Sequence, residues 1–150
     1  MRFILTFAVV SLLASGCTRE QSYQVAVRNE TEGPLTVGLV KEGGDFESEW
    51  ASPEEIAAAT RADEQRRWDS ATVGAGQSGV AGPVSGRFGD DARAVLRVYA
   101  GEGSMNELMA ISRGSPDRID VPLRPGRNAI IVRRESGRLA YERANLSQKK

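Results

Sequence analysis

Side chains able to do chemistry are few in this chain and unevenly placed. Asp45, Glu47, Glu54, Asp90 and Asp91 offer pairs that could serve as acid and nucleophile or base in a two-carboxylate hydrolysis, which needs its carboxyl groups ~5–10 Å apart. Asp45, Glu47 and Glu49 are spaced by two, so extended backbone would put three carboxylates on one side, as a calcium site might. The ladder lacks the glycine and the further oxygen ligands of a calcium loop, and a solvated acidic loop is the favoured reading. Gly74-Ala75-Gly76-Gln77-Ser78-Gly79 matches GxGxxG letter for letter. A dinucleotide site needs the third glycine to open a helix onto the pyrophosphate. Val80-Ala81-Gly82-Pro83 follows instead, which forbids that helix and predicts a turn between strands. Ser78 lacks the GxSxG elbow of a nucleophile. The chain has no histidine and one cysteine, Cys17, which removes Ser-His-Asp and Cys-His catalysis and His-ligated zinc. No catalytic residue, cofactor or metal ligand is expected, and the chain is read as a non-enzyme.

Cys17 has no partner for an internal disulfide, so its chemistry must lie elsewhere. Met1-Arg2 carries a positive charge, and Phe3 to Ala14 is apolar apart from Thr6 and Ser11. That pattern is the n-region and h-region of a secretory signal, and it is shorter than the ~20 apolar residues of a membrane-spanning helix. The segment Leu13-Ala14-Ser15-Gly16-Cys17 resembles the lipobox of bacterial lipoproteins, with leucine four residues before the cysteine where three is commoner. The resemblance covers residues 1–17. It implies diacylglycerol transfer to the Cys17 sulfur and removal of residues 1–16 as a signal peptide, and Thr18 after the cysteine implies an outer-membrane rather than inner-membrane destination. Several acyl chains, at ~0.8 kcal/mol per buried methylene, anchor stably where one chain is marginal.

The elements that must carry these residues read as strands. The 134 residues left after residue 16 suit one domain. With Arg2 gone they hold 19 basic against 20 acidic side chains, a balance that points to neither nucleic acid nor an acidic lipid surface. Sixteen glycines and 6% aromatics favour a turn-rich β protein. Residues 17–22 form a tether, and residues 23–144 the domain. Tyr23, Val25 and Val27 alternate with polar residues, as do Leu35, Val37 and Leu39, and the two runs read as a hairpin about the 29–34 turn. Ser52-Pro53-Glu54-Glu55 is a helix start with serine cap, proline at the first helical position and glutamate three residues after the cap. A helix over residues 53–67 is predicted, with Asp63 and Arg67 paired, Arg61, Arg66 and Arg67 on a solvated face, and Trp50 and Trp68 pinning its ends.

After a strand at 70–73, the Gly-rich stretch and residues 86–91 read as turns. Ala94, Leu96 and Val98 mark a central strand, and Leu108 to Ile111 a short apolar run. Ile119, Val121 and Leu123 make an edge strand because Pro122 deletes a ladder hydrogen bond. Leu123-Arg124-Pro125-Gly126-Arg127-Asn128 between that strand and Ala129–Val132 loosely resembles hairpins of immunoglobulin-like accessory domains in secreted bacterial proteins. Leu139 and Tyr141 close the last strand, and residues 145–150 are a polar tail.

The expected fold is mainly β, an immunoglobulin-like β-sandwich of seven or eight strands with one helical insertion, or alternatively a small β-barrel. The expected function is a membrane-anchored, non-enzymatic protein-interaction module of the cell envelope, with an envelope protein as partner. A glycan-binding module using Trp50, Trp68 and Tyr99 as a stacking platform is the alternative.

Overall fold

The computed structural model describes residues 18–59 and 66–144. Residues 1–17, with Cys17 and the stretch read as a signal, residues 60–65, with Arg61 and Asp63, and residues 145–150 lie outside the described residues. The fold is a β-sandwich of two four-stranded sheets. One has the order β4-β1-β7-β8 and the other β3-β2-β5-β6. The strands are β1 (Arg19–Asn29), β2 (Leu35–Glu42), β3 (Ser70–Val73), β4 (Ser78–Phe88), β5 (Arg93–Ala100), β6 (Arg118–Pro122), β7 (Gly126–Glu135) and β8 (Arg138–Arg143). Two short helices, α1 (Pro53–Ala58) and α2 (Met105–Ala110), interrupt them. The period-two apolar residues meet between the sheets, with Val25, Val27, Ile130 and Val132 facing Leu35, Val37, Leu39, Leu96, Val98 and Val121 in one core.

The expected β1–β2 hairpin is not formed. β1 pairs with β4 antiparallel and β7 parallel, while β2 pairs with β3 and β5 in the other sheet. The reason lies in Asn29, which is buried and uses its amide to tie the crossing together. Its Nδ2 donates to the carbonyls of Gly33 (2.8 Å) and Val73 (2.9 Å), and its Oδ1 accepts from Thr31 N (2.8 Å). The presumed β6–β7 hairpin is a sheet crossing of the same kind. Buried Asn128 accepts from Arg124 N (3.1 Å) and donates to Arg124 O (2.8 Å), and Gly126 supplies the positive φ of the corner. In both places one side-chain amide does what a turn's own backbone cannot, because the chain must leave one layer and enter the other.

β4 is the strand that glycine and proline concealed. It runs through Gly79, Gly82, Pro83 and Gly86, all strand-poor residues, and each glycine makes room for something. A Cβ at Gly86 would fall against Trp50 Nε1, one at Gly79 would lie 2.7 Å from the Val73 side chain, and one at Gly82 would lie 2.5 Å from the Tyr23 carbonyl. Opposite Gly82 and Pro83 the register with β1 slips between Tyr23 and Val25, a bulge that absorbs the irregularity. β1 itself begins at Arg19, four residues before the expected Tyr23, because Arg19 to Ser22 continue the ladder against Phe88 to Ser85.

The helical insertion is shorter than predicted. α1 ends at Ala58, Ala59 is extended, and Arg66 and Arg67 are not helical. Ile56 alone cannot supply the apolar face that sustains longer helices in water. The start is as read, since Ser52 accepts from Glu55 N and the Glu55 carboxylate accepts from Ser52 N, a complete capping box. α2 stands where only an apolar run was expected, and Ser104 and Glu107 form the same box there.

Two stability outcomes follow from these contacts. Gly86→Ala drives a methyl into Trp50 and lowers unfolding free energy by about 1–3 kcal/mol, whereas Ser52→Ala costs about 1 kcal/mol through the lost cap. Urea denaturation monitored by tryptophan fluorescence separates the two; equal midpoints for Gly86→Ala and the parent would mean the indole is seated elsewhere.

Candidate functional site

The carboxylates singled out by sequence are dispersed. Glu47 is consumed structurally: its carboxylate pairs with Lys41 Nζ at 2.6 Å and accepts from Arg87 N at 2.9 Å. Lys41, whose side chain is only 5% exposed, also donates to Asp45 O. Asp90 and Asp91 lie exposed in the β4–β5 loop. Among the described residues no group of three or more acidic, histidine or cysteine side chains is arranged to hold a metal. Gly74 to Gln77 forms the turn from β3 into β4, and Ser78 and Gly79 already pair with β1: Gln77 N donates to Gly74 O at 3.0 Å, and Gly76 takes a positive φ. Ser78 is the first, exposed residue of β4.

Glu54 belongs to a charged layer that the strand pattern carried unnoticed. Alternation places Arg97 of β5 and Arg118 and Asp120 of β6 on the outer face of their sheet, with Arg97 opposite Asp120. The α1 and α2 insertions bring Glu54 and Arg113 over them. Arg97 reaches Glu54 (2.7 Å) and Asp120 (3.2 Å), and Arg118 reaches the same two carboxylates (3.3 Å each). Glu42 receives Arg93 (2.6 Å) and Arg113 (2.9 Å). Arg97 and Arg118 are buried, and each guanidinium is matched by carboxylates on more than one side, which is the condition for tolerating buried charge. Desolvation alone would raise the Glu54 pKa. A backbone hydrogen bond and the guanidinium groups of Arg97 and Arg118 outweigh it and leave Glu54 below the usual carboxylate value. This layer is cement between the insertions and the sheet, with every charge already engaged.

The three aromatics proposed as a glycan platform do not form one. Trp50 and Tyr99 are buried. Trp50 packs edge-on against Tyr23 and Phe88 and donates Nε1 to Ser85 O at 2.9 Å. Trp68, half-buried, lies on Gly38 and edge-on to Tyr99. Burial pushes the Tyr99 hydroxyl pKa up, and Arg118 sits over its ring at 5.5 Å. These rings were placed by the need to cover a sheet, so their faces are spent on protein.

Concave surface remains at more than one place among the described residues, including a groove of about 580 Å³ beside Trp68, Asp69 and Pro83. A groove of about 680 Å³ opens at the Arg19 end of the sandwich, lined by Thr18, Lys41, Asp45, Phe46, Glu47 and Arg87 among others. Phe46 is 52% exposed there, with the Arg66 guanidinium stacked on its ring at 4.8 Å. Sequence reasoning treated Phe46 as part of a polar loop; its signal was a lone aromatic among glycines and carboxylates. Comparison with protein-family models, curated proteins and solved structures gives no match to this chain.

The depressed Glu54 pKa fixes the sign of a pH effect. Its stabilising contribution is complete above the unfolded-state value of ~4.3 and is lost as pH falls through the lower folded-state value. Between pH 6 and pH 3 the urea midpoint of Glu54→Gln therefore converges on that of the parent, and a gap that stays constant would place the ion pairs outside the folding balance.

Proposed function

We propose that this chain is a lipid-anchored, non-enzymatic interaction module of the bacterial cell envelope, which presents the far loops of its sandwich to a protein partner. The observation that carries the reading is the start of β1 at Arg19. Thr18 alone separates it from Cys17, a reach of about 7 Å in extended chain, well short of the span that a tether through residue 22 would allow. An acylated Cys17 thus holds one end of the sandwich at the bilayer and turns the other away.

Strand direction decides which loops face outward. β1 ends at Asn29 against Val132 of parallel β7, so the far end carries the 30–34 and 74–77 turns, the 101–102 corner after β5, where Gly101 N donates to Pro34 O, and the 136–137 turn. Glu30, Glu32, Gln77, Glu102 and Arg138 give that end mixed polarity, suited to a protein rather than to nucleic acid or an acidic surface. The structural engagement of Glu47, Glu54, Trp50 and Tyr99 leaves neither hydrolysis nor glycan stacking an observation in its favour.

Cys17→Ser is expected to move the protein from the membrane pellet to the soluble fraction, and persistence in the pellet after carbonate washing would end the lipid reading. Photocrosslinkers at Glu32 and Gln77 in intact cells are expected to capture one discrete envelope protein that a crosslinker at Asp90 does not. Capture independent of position would remove the far-end assignment.

A further inference from the structure

Resting on the lipid-anchored reading above, we propose a second contact at the opposite end of the sandwich: Phe46 is an interfacial anchor that seats the groove end directly on the phospholipid bilayer. Among the described residues three large apolar side chains are substantially exposed, Phe46, Val80 and Tyr141. Only Phe46 shares its groove with Thr18, the residue that follows Cys17 in the chain. The end of the described chain therefore brings the lipid attachment point to the same rim as the exposed ring.

The ring is presented rather than tucked away. The Gly43-Gly44 corner takes two positive φ values and passes close over the 91–92 backbone, which turns the 45–47 segment outward. Lys41 then fixes that segment by binding both Asp45 O and Glu47. Arg66 donates to Glu55 O at 2.6 Å while its guanidinium lies on the ring, so the ring is backed by a positioned cation. An aromatic ring backed by a guanidinium suits the headgroup region, where rings lie at the boundary and cations meet phosphate. Asp45, Glu47 and Asp91 offset Lys41 and Arg87 around the groove. The contact is therefore apolar and interfacial, and does not draw on anionic lipid as a polybasic patch would.

Phe46→Trp and Val80→Trp make a matched pair, since the parent residues are 52% and 53% exposed. Val80 faces Ala26 of β1, seven residues from Arg19 and on the order of 23 Å along the strand. The acylated proteins are bound to vesicles of phosphatidylethanolamine and phosphatidylglycerol, or of phosphatidylcholine alone, each with brominated acyl chains, and parent emission is subtracted. We expect the emission added by Phe46→Trp to shift to the blue and to lose more than half its intensity on either vesicle, and that added by Val80→Trp to lose less than a tenth. Vesicle-bound protein in which Phe46→Trp stays unquenched overturns the proposal. A blue shift without quenching overturns it in favour of a second copy or another protein over the ring, and equal quenching of both variants overturns it in favour of a sandwich lying on its side. Absence of a diacylglyceryl mass on Cys17, with loss of vesicle binding, would instead defeat the anchoring reading and this inference with it.

Discussion

Trp50 closes the one side of this sandwich that its strands leave open. β3 is only four residues long and pairs with the first half of β2, so the second half of β2, paired with β5 on one side, has no strand on the other, while β4 across the gap is an edge of its own sheet. The chain between β2 and β3 returns to fill that gap. Trp50 O accepts from Lys41 N and Asp69 O from Leu39 N, continuing the β2 ladder, and Trp50 and Trp68 bridge one another. On the β4 side, Asp69 accepts from Gly82 N, Glu47 from Arg87 N, and Ser85 O accepts from the Trp50 indole. An edge that would otherwise invite pairing with another chain is satisfied by side chains of the protein's own excursion.

From that closure come the glycines at 38 and 86, which leave room for the two indoles, and the charged layer that fastens α1 and α2 to the outer face of β5 and β6. The layer adds specificity of position more than energy: two buried arginines shared among Glu54 and Asp120 admit one arrangement of the insertions, and breaking any member leaves a buried charge unmatched. The helices need that help, since six-residue helices with one or two apolar contacts do not stand alone.

The strands with clean alternation were legible in the sequence, as were the edge position of β6, the turn nature of the Gly-rich stretch and the cap of α1, because period-two burial and capping are local. Three things were not. The partners of β1 and β2 depend on what buried Asn29 binds across more than forty residues. β4 was hidden because its glycines answer to distant tryptophans, not to local strand propensity. The charged layer was present as alternating Arg97, Arg118 and Asp120, but its meaning needed Glu54 to arrive from an insertion. α2 was legible after all, since Ser104 and Glu107 repeat the Ser52 and Glu55 spacing. Trp50 and Trp68 read in the sequence as pins for the ends of the helical insertion, and only the glycan alternative needed them as a platform; what the pattern did not show is that they cover a sheet.

β1 lies between two partners, antiparallel β4 and parallel β7, and its first residue is the point where the described chain enters the fold. A pull on that end runs along the strand axis and loads both ladders in shear. Their hydrogen bonds must then yield together, not one after another as they would if an outer strand such as β8 were peeled. A sandwich loaded through the start of β1 is therefore mechanically stiff along that strand and compliant at its β8 edge, so both ladders share the load before the sheets open.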